Sequence, residues 1–201
     1  MKAIVELKNT TKVVTNGFNE ERVILDKVNL TIYQGDFITI LGGNGAGKST
    51  LFNVIAGTLP LTSGSVHILG EDVTNWPAEK RAKYLARVFQ DPKMGTSPRM
   101  TVAENLLIAK YRGEGRGLVP RKLSQQIEEF AQLLPRVGNG LEKHLETPAG
   151  LLSGGQRQAL SLLMASLKQP ELLLLDEHTA ALDPKTSQSL MQLTDELIAT
   201  K

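Results

Sequence analysis

Apolar and polar residues alternate along the first part of the chain. Val5 and Leu7 are separated by a polar residue, and Val28, Leu30 and Ile32 repeat with the same period of two. Successive side chains of a strand point to opposite faces of a sheet, so this spacing is typical of half-buried β-strands. Two strands are therefore predicted in the first 35 residues.

A compact apolar run at 37–41 leads into a glycine-rich loop at 42–47. Leu51, Val54 and Ile55 follow the loop at helical spacing. The pattern predicts a strand, a loop and a helix in succession, which is the context in which a glycine loop binds phosphate. A further strand is predicted at 65–69, after a turn at 62–64.

The middle of the chain, from 90 to about 150, changes to short helical stretches separated by glycine and proline. Thr101 and Glu104 have the spacing of a capping box, which predicts a helix that begins at Val102. A second helix is predicted over 124–134, with an apolar face formed by Ile127, Phe130, Ala131 and Leu134.

Beyond residue 150 the apolar spacing predicts one helix that ends before Pro170 and another that begins near Lys185. The four leucines at 172–175 form an uninterrupted apolar run between them. Such a run predicts a central parallel strand that is covered on both faces.

The composition narrows the class of protein. A chain of 201 residues with 41% hydrophobic residues fits one domain with an inserted subdomain. A net charge of +2 and 4% aromatic residues argue against a nucleic-acid partner. The absence of cysteine excludes disulfides, thiolate zinc sites and cysteine nucleophiles. No signal peptide and no apolar run of roughly 18 residues is present, so work at a membrane would need a partner.

The sequence GGNGAGKST at 42–50 satisfies the phosphate-binding Walker A pattern. Glycines allow backbone amides to surround phosphate oxygens, and the following helix directs its positive end to the same place. Lys48 would reach the outer phosphates and the Ser49 hydroxyl would bind Mg²⁺. The alternative is an ordinary glycine-rich turn. The predicted nucleotide-binding residues are Gly42, Asn44, Gly45, Ala46, Gly47, Lys48, Ser49 and Thr50.

Two acids, Asp176 and Glu177, follow the apolar run at once. Ligands of open α/β sheets bind at the carboxyl ends of the strands. Asp176 would hold Mg²⁺ through water, and Glu177 would polarise the water that attacks the γ-phosphate. The alternative is a strand that meets solvent at its end.

A second candidate helix N-terminus occurs at 152–156, with the sequence LSGGQ. Ser153 is a good N-cap, and the two glycines again leave room for backbone amides to meet an anion. A capped helix start is common, but the chain would then have two anion-binding N-termini and one acidic metal site. The second N-terminus has a use if it binds the nucleotide of another copy.

The chain resembles the nucleotide-binding subunit of an ABC transporter over nearly its whole length. The Walker A loop, LSGGQ and the acidic pair after the leucine run occur in the order and spacing of that family. The sequence DEHTAALDP at 176–184 is similar to that of a subgroup of poorly characterised bacterial importers. The resemblance implies an α/β fold, a P-loop NTPase (RecA-like) core with an N-terminal antiparallel β region and an inserted helical subdomain. Its domains would be 1–90 (first part of the core), 91–151 (helical subdomain) and 152–201 (signature helix and remainder of the core).

The resemblance also implies roles for single residues. Gln90 matches the Q-loop glutamine, which senses Mg²⁺ and the γ-phosphate and takes part in catalysis with Glu177 and Lys48. Ser153 and Gly155 would bind the γ-phosphate of ATP held by the other subunit. Asp183 matches the D-loop at the subunit boundary, and Phe18 is the nearest candidate to stack on adenine.

The implied cofactors are ATP and Mg²⁺, and the implied partners are a second nucleotide-binding subunit, a transmembrane permease and an extracytoplasmic solute-binding protein. Two copies would close head to tail around two ATP molecules at the cytoplasmic face of the membrane. Rival interpretations are a non-transport ABC ATPase and an ATP-dependent dimerisation module with little turnover.

Two positions depart from the family. His178 stands where the family usually has proline after the catalytic glutamate. The family also has a switch histidine in a later strand, and none of His67, His144 and His178 lies in that place. The sequence ends where that strand would begin, so we expect a fragment that binds Mg·ATP and hydrolyses it slowly.

Overall fold

The computed structural model describes residues 1–15, 17, 20–115, 123–138 and 140–176. It divides into two compact units, Met1–Leu85 and a second that begins at Ala86.

The first unit contains a four-stranded antiparallel sheet with the strand order β2-β1-β3-β4. Its strands are β1 (Ala3–Thr15), β2 (Glu21–Tyr33), β3 (Ser63–Ile68) and β4 (Glu71–Asp72). The alternating pattern of β1 is confirmed, since Val5 and Leu7 are buried while Glu6 and Lys8 between and after them are more exposed. In β2, Ile32 is buried, and Val28 and Leu30 are half-buried.

Two helices belong to the same unit. Helix α1 (Lys48–Ala56) follows the glycine loop as predicted and buries its apolar side, Leu51, Val54, Ile55 and Ala56. Helix α2 (Ala78–Arg81) is a single turn that begins after Pro77. The glycine loop is thereby attached to a helix with a packed face.

The strand predicted at 37–41 is absent: these residues belong to neither of the two sheets that the structure describes. The side chains of Phe37 and Leu41 are 73% and 88% exposed. A buried strand needs hydrogen-bonding neighbours and cover on its faces, and an apolar run does not provide these by itself. The prediction from the run alone was wrong for this segment.

The second unit combines a two-stranded sheet with helices. Strands β5 (Leu85–Val88, whose first residue closes the first unit) and β6 (Leu172–Leu175) pair with each other. The helices are α3 (Val102–Lys110), α4 (Ile127–Leu133) and α5 (Gly154–Ser166). Short 3₁₀ turns cover Leu123–Gln125, Leu134–Arg136, Leu141–Lys143 and Ala149–Leu151.

The core of the second unit lies among its helices. Its largest fully buried side chains are Phe130, Leu106, Leu134, Leu141, Leu160 and Leu162. The capping box of Thr101 and Glu104 is confirmed, because the Thr101 side chain accepts from the Glu104 N–H and the Glu104 side chain accepts from the Thr101 N–H. In α4, Phe130 is buried as predicted, whereas Ala131 is exposed.

The strand predicted at 172–175 is confirmed as β6, but its predicted cover on both faces is not. Leu174 is buried, and Leu172, Leu173 and Leu175 are only half-buried. The helix predicted from Lys185 lies outside the described residues. Within the residues that the structure describes, no helix is long and apolar enough to cross a membrane.

Candidate nucleotide-binding site

The glycine loop ends at Gly47, which is the N-cap of α1 in a left-handed conformation (φ 90°, ψ 5°). No side chain caps the first turn of α1 at this position. The first N–H groups of a helix have no acceptor within the helix, and they carry the positive end of its dipole. An uncapped N-terminus on a helix of nine residues is therefore suited to bind an anion.

Gly47 is required by both its backbone conformation and its surroundings. A Cβ at this position would lie 3.0 Å from the carbonyl oxygen of Ile24 and 3.2 Å from the side chain of Ile24. Any other residue would also be strained at this φ. The close approach of β2 and the positive φ thus both require glycine at the start of α1.

Lys48 lies over the same loop. Its Nζ donates hydrogen bonds to the carbonyl oxygens of Gly42 (2.5 Å) and Gly43 (3.3 Å). A phosphate oxygen is a charged acceptor and forms a stronger bond with an ammonium group than a carbonyl does. The side chain is therefore placed to turn to a phosphate beside the loop while its backbone stays in α1.

The other predicted residues of the loop are accessible from solvent. Asn44, Gly45, Ala46 and Ser49 are exposed, and Thr50 is half-buried. The N–H of Ala46 donates to the carbonyl oxygen of Gly43 (3.2 Å), which closes a turn inside the loop. The structure therefore brings the predicted phosphate-binding residues together in one unit.

The opposite end of α1 is anchored by a residue that the sequence analysis missed. Arg81 is 2% exposed, and its Nη1 donates to the carbonyl oxygens of Val54 (2.8 Å) and Ile55 (3.0 Å). Its Nη2 and Nε donate to the carbonyl oxygens of Thr74 (3.0 Å) and Trp76 (3.1 Å). Burial lowers the pKa of the Arg81 guanidinium, and the charge of Asp72 opposes this. A buried cation at the C-terminus of α1 also complements the helix dipole.

In the second unit, Asp176 follows β6 directly and is held from two sides. Its backbone N–H donates to the carbonyl oxygen of Val88 (3.0 Å), and its Oδ2 accepts from Arg87 Nη2 (2.8 Å). The side chains of Arg87 and Asp176 are 9% and 13% exposed. The Arg87 guanidinium also lies over the ring of Phe89, 4.5 Å from its centroid. No motif in the sequence indicates this partner of Asp176.

Gln90 lies just beyond the end of β5, near the level of Asp176, which directly follows the neighbouring strand β6. Asp176 pairs with Val88, which precedes Gln90 by two residues. Gln90 is exposed, and the carbonyl oxygen of Phe89 before it accepts a hydrogen bond from Gln158 Nε2 of α5 (3.3 Å). The second unit thus brings Gln90 and Asp176 to the same end of its sheet.

Ser153 is the N-cap of α5, as predicted. Its Oγ accepts from the Gln156 N–H (3.2 Å), and Gln156 Oε1 accepts from the Ser153 N–H (3.1 Å), which forms a capping box. A hydroxyl has one proton to donate besides its acceptor lone pairs, so this cap is compatible with a hydrogen bond to a phosphate. Gly155 is half-buried in the first turn of α5.

The predicted metal ligands Ser49, Gln90 and Asp176 offer a hydroxyl, an amide oxygen and a carboxylate. Mg²⁺ prefers hard oxygen ligands and keeps several waters, so this donor set fits the ion. Within the described part of the chain, no group of three or more His, Cys, Asp or Glu could hold a metal. Phe18, Glu177, His178 and Asp183 lie outside the described residues.

Comparison with known proteins gives consistent results. The family model "ABC transporter" matches residues 25–180. The tyrosine transport ATP-binding protein of Clostridioides difficile is 42% identical over 198 residues, which cover 98% of this chain and 78% of that protein. The phosphonates import ATP-binding protein PhnC 1 of Rhodopseudomonas palustris is 36% identical over 199 residues, covering 96% and 70% of the two chains.

Solved structures agree with the sequence relatives. A dimeric post-hydrolysis state of the ATP-binding cassette MJ0796 bound to ADP and Pi has a TM-score of 0.80 at 29% identity, covering 97% of this chain and 83% of that chain. A second dimeric structure of MJ0796, a bacterial ABC transporter cassette, has a TM-score of 0.81 at 28% identity and covers 98% and 84%. The predicted fold class, an α/β P-loop NTPase, is confirmed by these neighbours.

The family model covers more than half of the chain, and its relatives and structural neighbours are ATP-binding cassettes. The chain therefore belongs to the ABC transporter family, as an ATP-binding subunit with ATPase activity.

Proposed function

We propose that this chain uses Mg·ATP to drive the import of a solute through a separate permease, as one of two copies that close head to tail. The observation that carries the proposal is the uncapped N-terminus of α1, with Lys48 bonded to the loop carbonyls beside it. Two of the similar proteins are named as transport or import ATP-binding proteins, and a similar cassette is dimeric in a structure with ADP and Pi.

The loop residues Gly42, Asn44, Gly45, Ala46, Gly47 and Thr50 would contribute to binding the nucleotide phosphates. The backbone amides of the loop and of the first turn of α1 supply donors that need no reorganisation when phosphate arrives. Lys48 would bind the outer phosphates, since its ammonium already lies against the loop.

Hydrolysis would use groups at the end of the β5–β6 sheet and beyond it. Bound Mg²⁺ would neutralise phosphate charge, with Ser49, Gln90 and Asp176 as its ligands directly or through water. Glu177 would accept a proton from the attacking water, and Gln90 would help to orient that water. Positioning and charge neutralisation then supply most of the rate enhancement.

The second copy would complete each site. Ser153 would donate its hydroxyl proton, and Gly155 its backbone N–H, to the γ-phosphate of ATP held by the partner, with Asp183 near the boundary. The N-terminus of α5 supports this role, because the Ser153 cap leaves a donor for an anion. Phe18 remains the candidate for contact with adenine.

We also propose that residues 91–151 form a helical subdomain, between 1–90 and 152–201, that docks on the permease at the cytoplasmic face of the membrane. An extracytoplasmic solute-binding protein would deliver the solute, and no nucleic acid would take part. Movement of the subdomain would transmit ATP binding and hydrolysis to the permease.

The dimer is tested with the Glu177→Gln variant, which retains ATP because the base is lost. We expect it to elute as a dimer with Mg·ATP and as a monomer without nucleotide in size-exclusion chromatography. The control combines Glu177→Gln with Lys48→Ala, which weakens phosphate binding and should remain a monomer. A Glu177→Gln protein that binds ATP and stays monomeric would contradict the head-to-tail arrangement.

Import is tested in cells that lack this chain. Uptake of radiolabelled tyrosine, the solute in the name of the 42% identical relative, is measured first, followed by other amino acids. The wild-type chain should restore uptake and the Lys48→Ala variant should not. Export of the solute that depends on Lys48, without any uptake, would contradict the proposed role in import.

A further inference from the structure

The Asp176 carboxylate forms an ion pair with the guanidinium of Arg87. Arg87 Nη2 lies 2.8 Å from Asp176 Oδ2, and the two side chains are 9% and 13% exposed. A charged hydrogen bond shielded from water is much stronger than the same pair on a surface. A metal ion that approaches Asp176 therefore meets a carboxylate whose charge is largely compensated.

The position of Arg87 is fixed by its surroundings as well as by Asp176. It lies on β5, beside β6, and its guanidinium covers the Phe89 ring at 4.5 Å. The backbone bond from the Asp176 N–H to Val88 O holds the acid at the same level of the sheet. Arg87 is thus part of β5 and Asp176 directly follows β6, so the pair does not depend on a flexible surface side chain.

We propose that Arg87 is a positioning residue that makes metal binding at Asp176 depend on nucleotide. This inference rests on the proposed role of Asp176 as a metal ligand. A free divalent cation would have to share Asp176 with the guanidinium, and in the described residues it finds no cluster of three or more acids or histidines to compensate. A nucleotide brings several negative oxygens with the metal, and these offset the competition from Arg87.

The consequence is a thermodynamic coupling between metal and nucleotide. If Arg87 weakens metal binding to the nucleotide-free protein more than to the nucleotide complex, Arg87 increases the factor by which nucleotide strengthens metal binding. Metal then strengthens nucleotide binding by the same increased factor. The site would then accept the metal together with the triphosphate rather than alone. Removal of the charge on Arg87 should reduce this coupling by tightening the nucleotide-free state.

The experiment measures Mn²⁺ binding to the full chain by electron paramagnetic resonance, with and without a non-hydrolysable ATP analogue. Arg87→Gln keeps a hydrogen-bond donor for Asp176 but removes the charge, and Arg87→Lys keeps the charge. Without nucleotide, we expect Arg87→Gln to bind Mn²⁺ about tenfold more tightly than wild type, within the usual range of coupling between sites. Arg87→Lys should remain close to wild type.

Two further variants serve as controls for the site of Mn²⁺ binding and for folding. Asp176→Asn in the Arg87→Gln background should remove the gain, because the metal then has no carboxylate at this position. Arg87→Met is a second neutral variant in case Arg87→Gln does not fold, and circular dichroism checks both. Equal or weaker Mn²⁺ binding by a folded neutral variant would overturn the role of Arg87.

The same titrations separate this inference from the proposed function. A wild-type chain that binds neither the ATP analogue nor Mn²⁺ in its presence would contradict the function. A wild-type chain that binds both, with no change of nucleotide-free Mn²⁺ affinity in Arg87→Gln, would contradict the inference alone.

Discussion

Gln158 of α5 donates a hydrogen bond from its side-chain amide to the carbonyl oxygen of Phe89, 3.3 Å away. Phe89 immediately precedes Gln90, and Gln158 lies five residues after Ser153 on the helix that Ser153 caps. Gln158 is 1% exposed, and its Oε1 has no hydrogen-bond partner within the described part of the chain. One buried amide thus connects α5 to the residue before the candidate catalytic glutamine.

Replacement of Gln158 with leucine tests this connection. The change removes the bond to Phe89 O and also the unpartnered Oε1, so we expect the free energy of unfolding to change by no more than about 1 to 2 kcal/mol. Loss of the connection should misplace Gln90, and small misplacements cost between about tenfold and a hundredfold in turnover. The maximal rate of ATP hydrolysis should fall while ATP affinity stays the same.

The control for Gln158 is Gln132→Leu, on the exposed side of α4. This substitution has the same chemistry without the bond to Phe89 O and should leave turnover unchanged. Equal turnover in the Gln158→Leu and wild-type proteins would show that the amide has only a packing role.

Ser153 and Thr101 form a matched pair of helix caps. Each accepts from the N–H three residues on and completes a capping box. Replacement of either residue with alanine should reduce the free energy of unfolding by about 1 kcal/mol, measured by urea denaturation. Only Ser153→Ala should also prevent the ATP-dependent dimer in the Glu177→Gln background, because only Ser153 is proposed to meet the partner's nucleotide. Equal dimerisation by the two alanine variants would limit Ser153 to its capping role.

Local rules predicted much of this structure from the sequence. The period of two predicted β1 and β2, and the spacing of Thr101 and Glu104 predicted the start of α3. The N-cap at Ser153 followed in the same way. In the two capping boxes the partners are three residues apart, so sequence spacing alone determines the contact. In the two strands the period of two reports which side chains are buried, and not which strand is the partner.

Features that depend on distant partners were not predictable in this way. Arg87 and Asp176 are 89 residues apart in sequence, and neither residue shows by its type that it pairs with the other. The acceptors of Arg81 are backbone carbonyls, which every residue has, so no sequence pattern identifies them. The run at 37–41 was misassigned for a related reason, because pairing with a neighbouring strand decides whether an apolar segment becomes a strand.

Asp72 supplies a prediction about acid stability. Its Oδ1 accepts from the Thr74 N–H (2.9 Å), and hydrogen bonds from the Thr74 side chain and backbone lower the pKa of Asp72 below its ordinary value of 3.8. A carboxylate with a lowered pKa in the folded state stabilises the fold above its unfolded pKa, and this contribution is lost as the pH falls through the folded pKa.

Asp72→Asn should therefore lose stability relative to wild type at pH 6 and approach it at pH values well below 3.8. Urea denaturation at several pH values between these limits measures the difference. Asp36→Asn is not a neutral control, because Asp36 Oδ2 accepts from the Tyr33 N–H. Glu142→Gln serves as the control, because the exposed Glu142 carboxylate accepts no hydrogen bond from the residues that the structure describes. A difference between Asp72→Asn and wild type that does not vary with pH would exclude the carboxylate charge as its cause.

Arg81 offers the sharpest test of how α1 is held. Arg81→Met removes donors to four carbonyl oxygens, those of Val54, Ile55, Thr74 and Trp76. The Val54 carbonyl oxygen would keep the Gly57 N–H as a donor (3.2 Å). The other acceptors would lose a buried partner and carry a desolvation penalty, so we expect a loss of about 3 kcal/mol in the free energy of unfolding. Arg81→Lys keeps the charge but cannot reach the four acceptors from one ammonium group, and it should recover only part of the loss.

Arg99→Met, at an exposed arginine, controls for the loss of charge. Because the same helix carries Lys48 at its other end, ATP affinity should also fall in Arg81→Met. An Arg81→Met protein as stable as Arg99→Met would show that the bonds to α1 contribute nothing net.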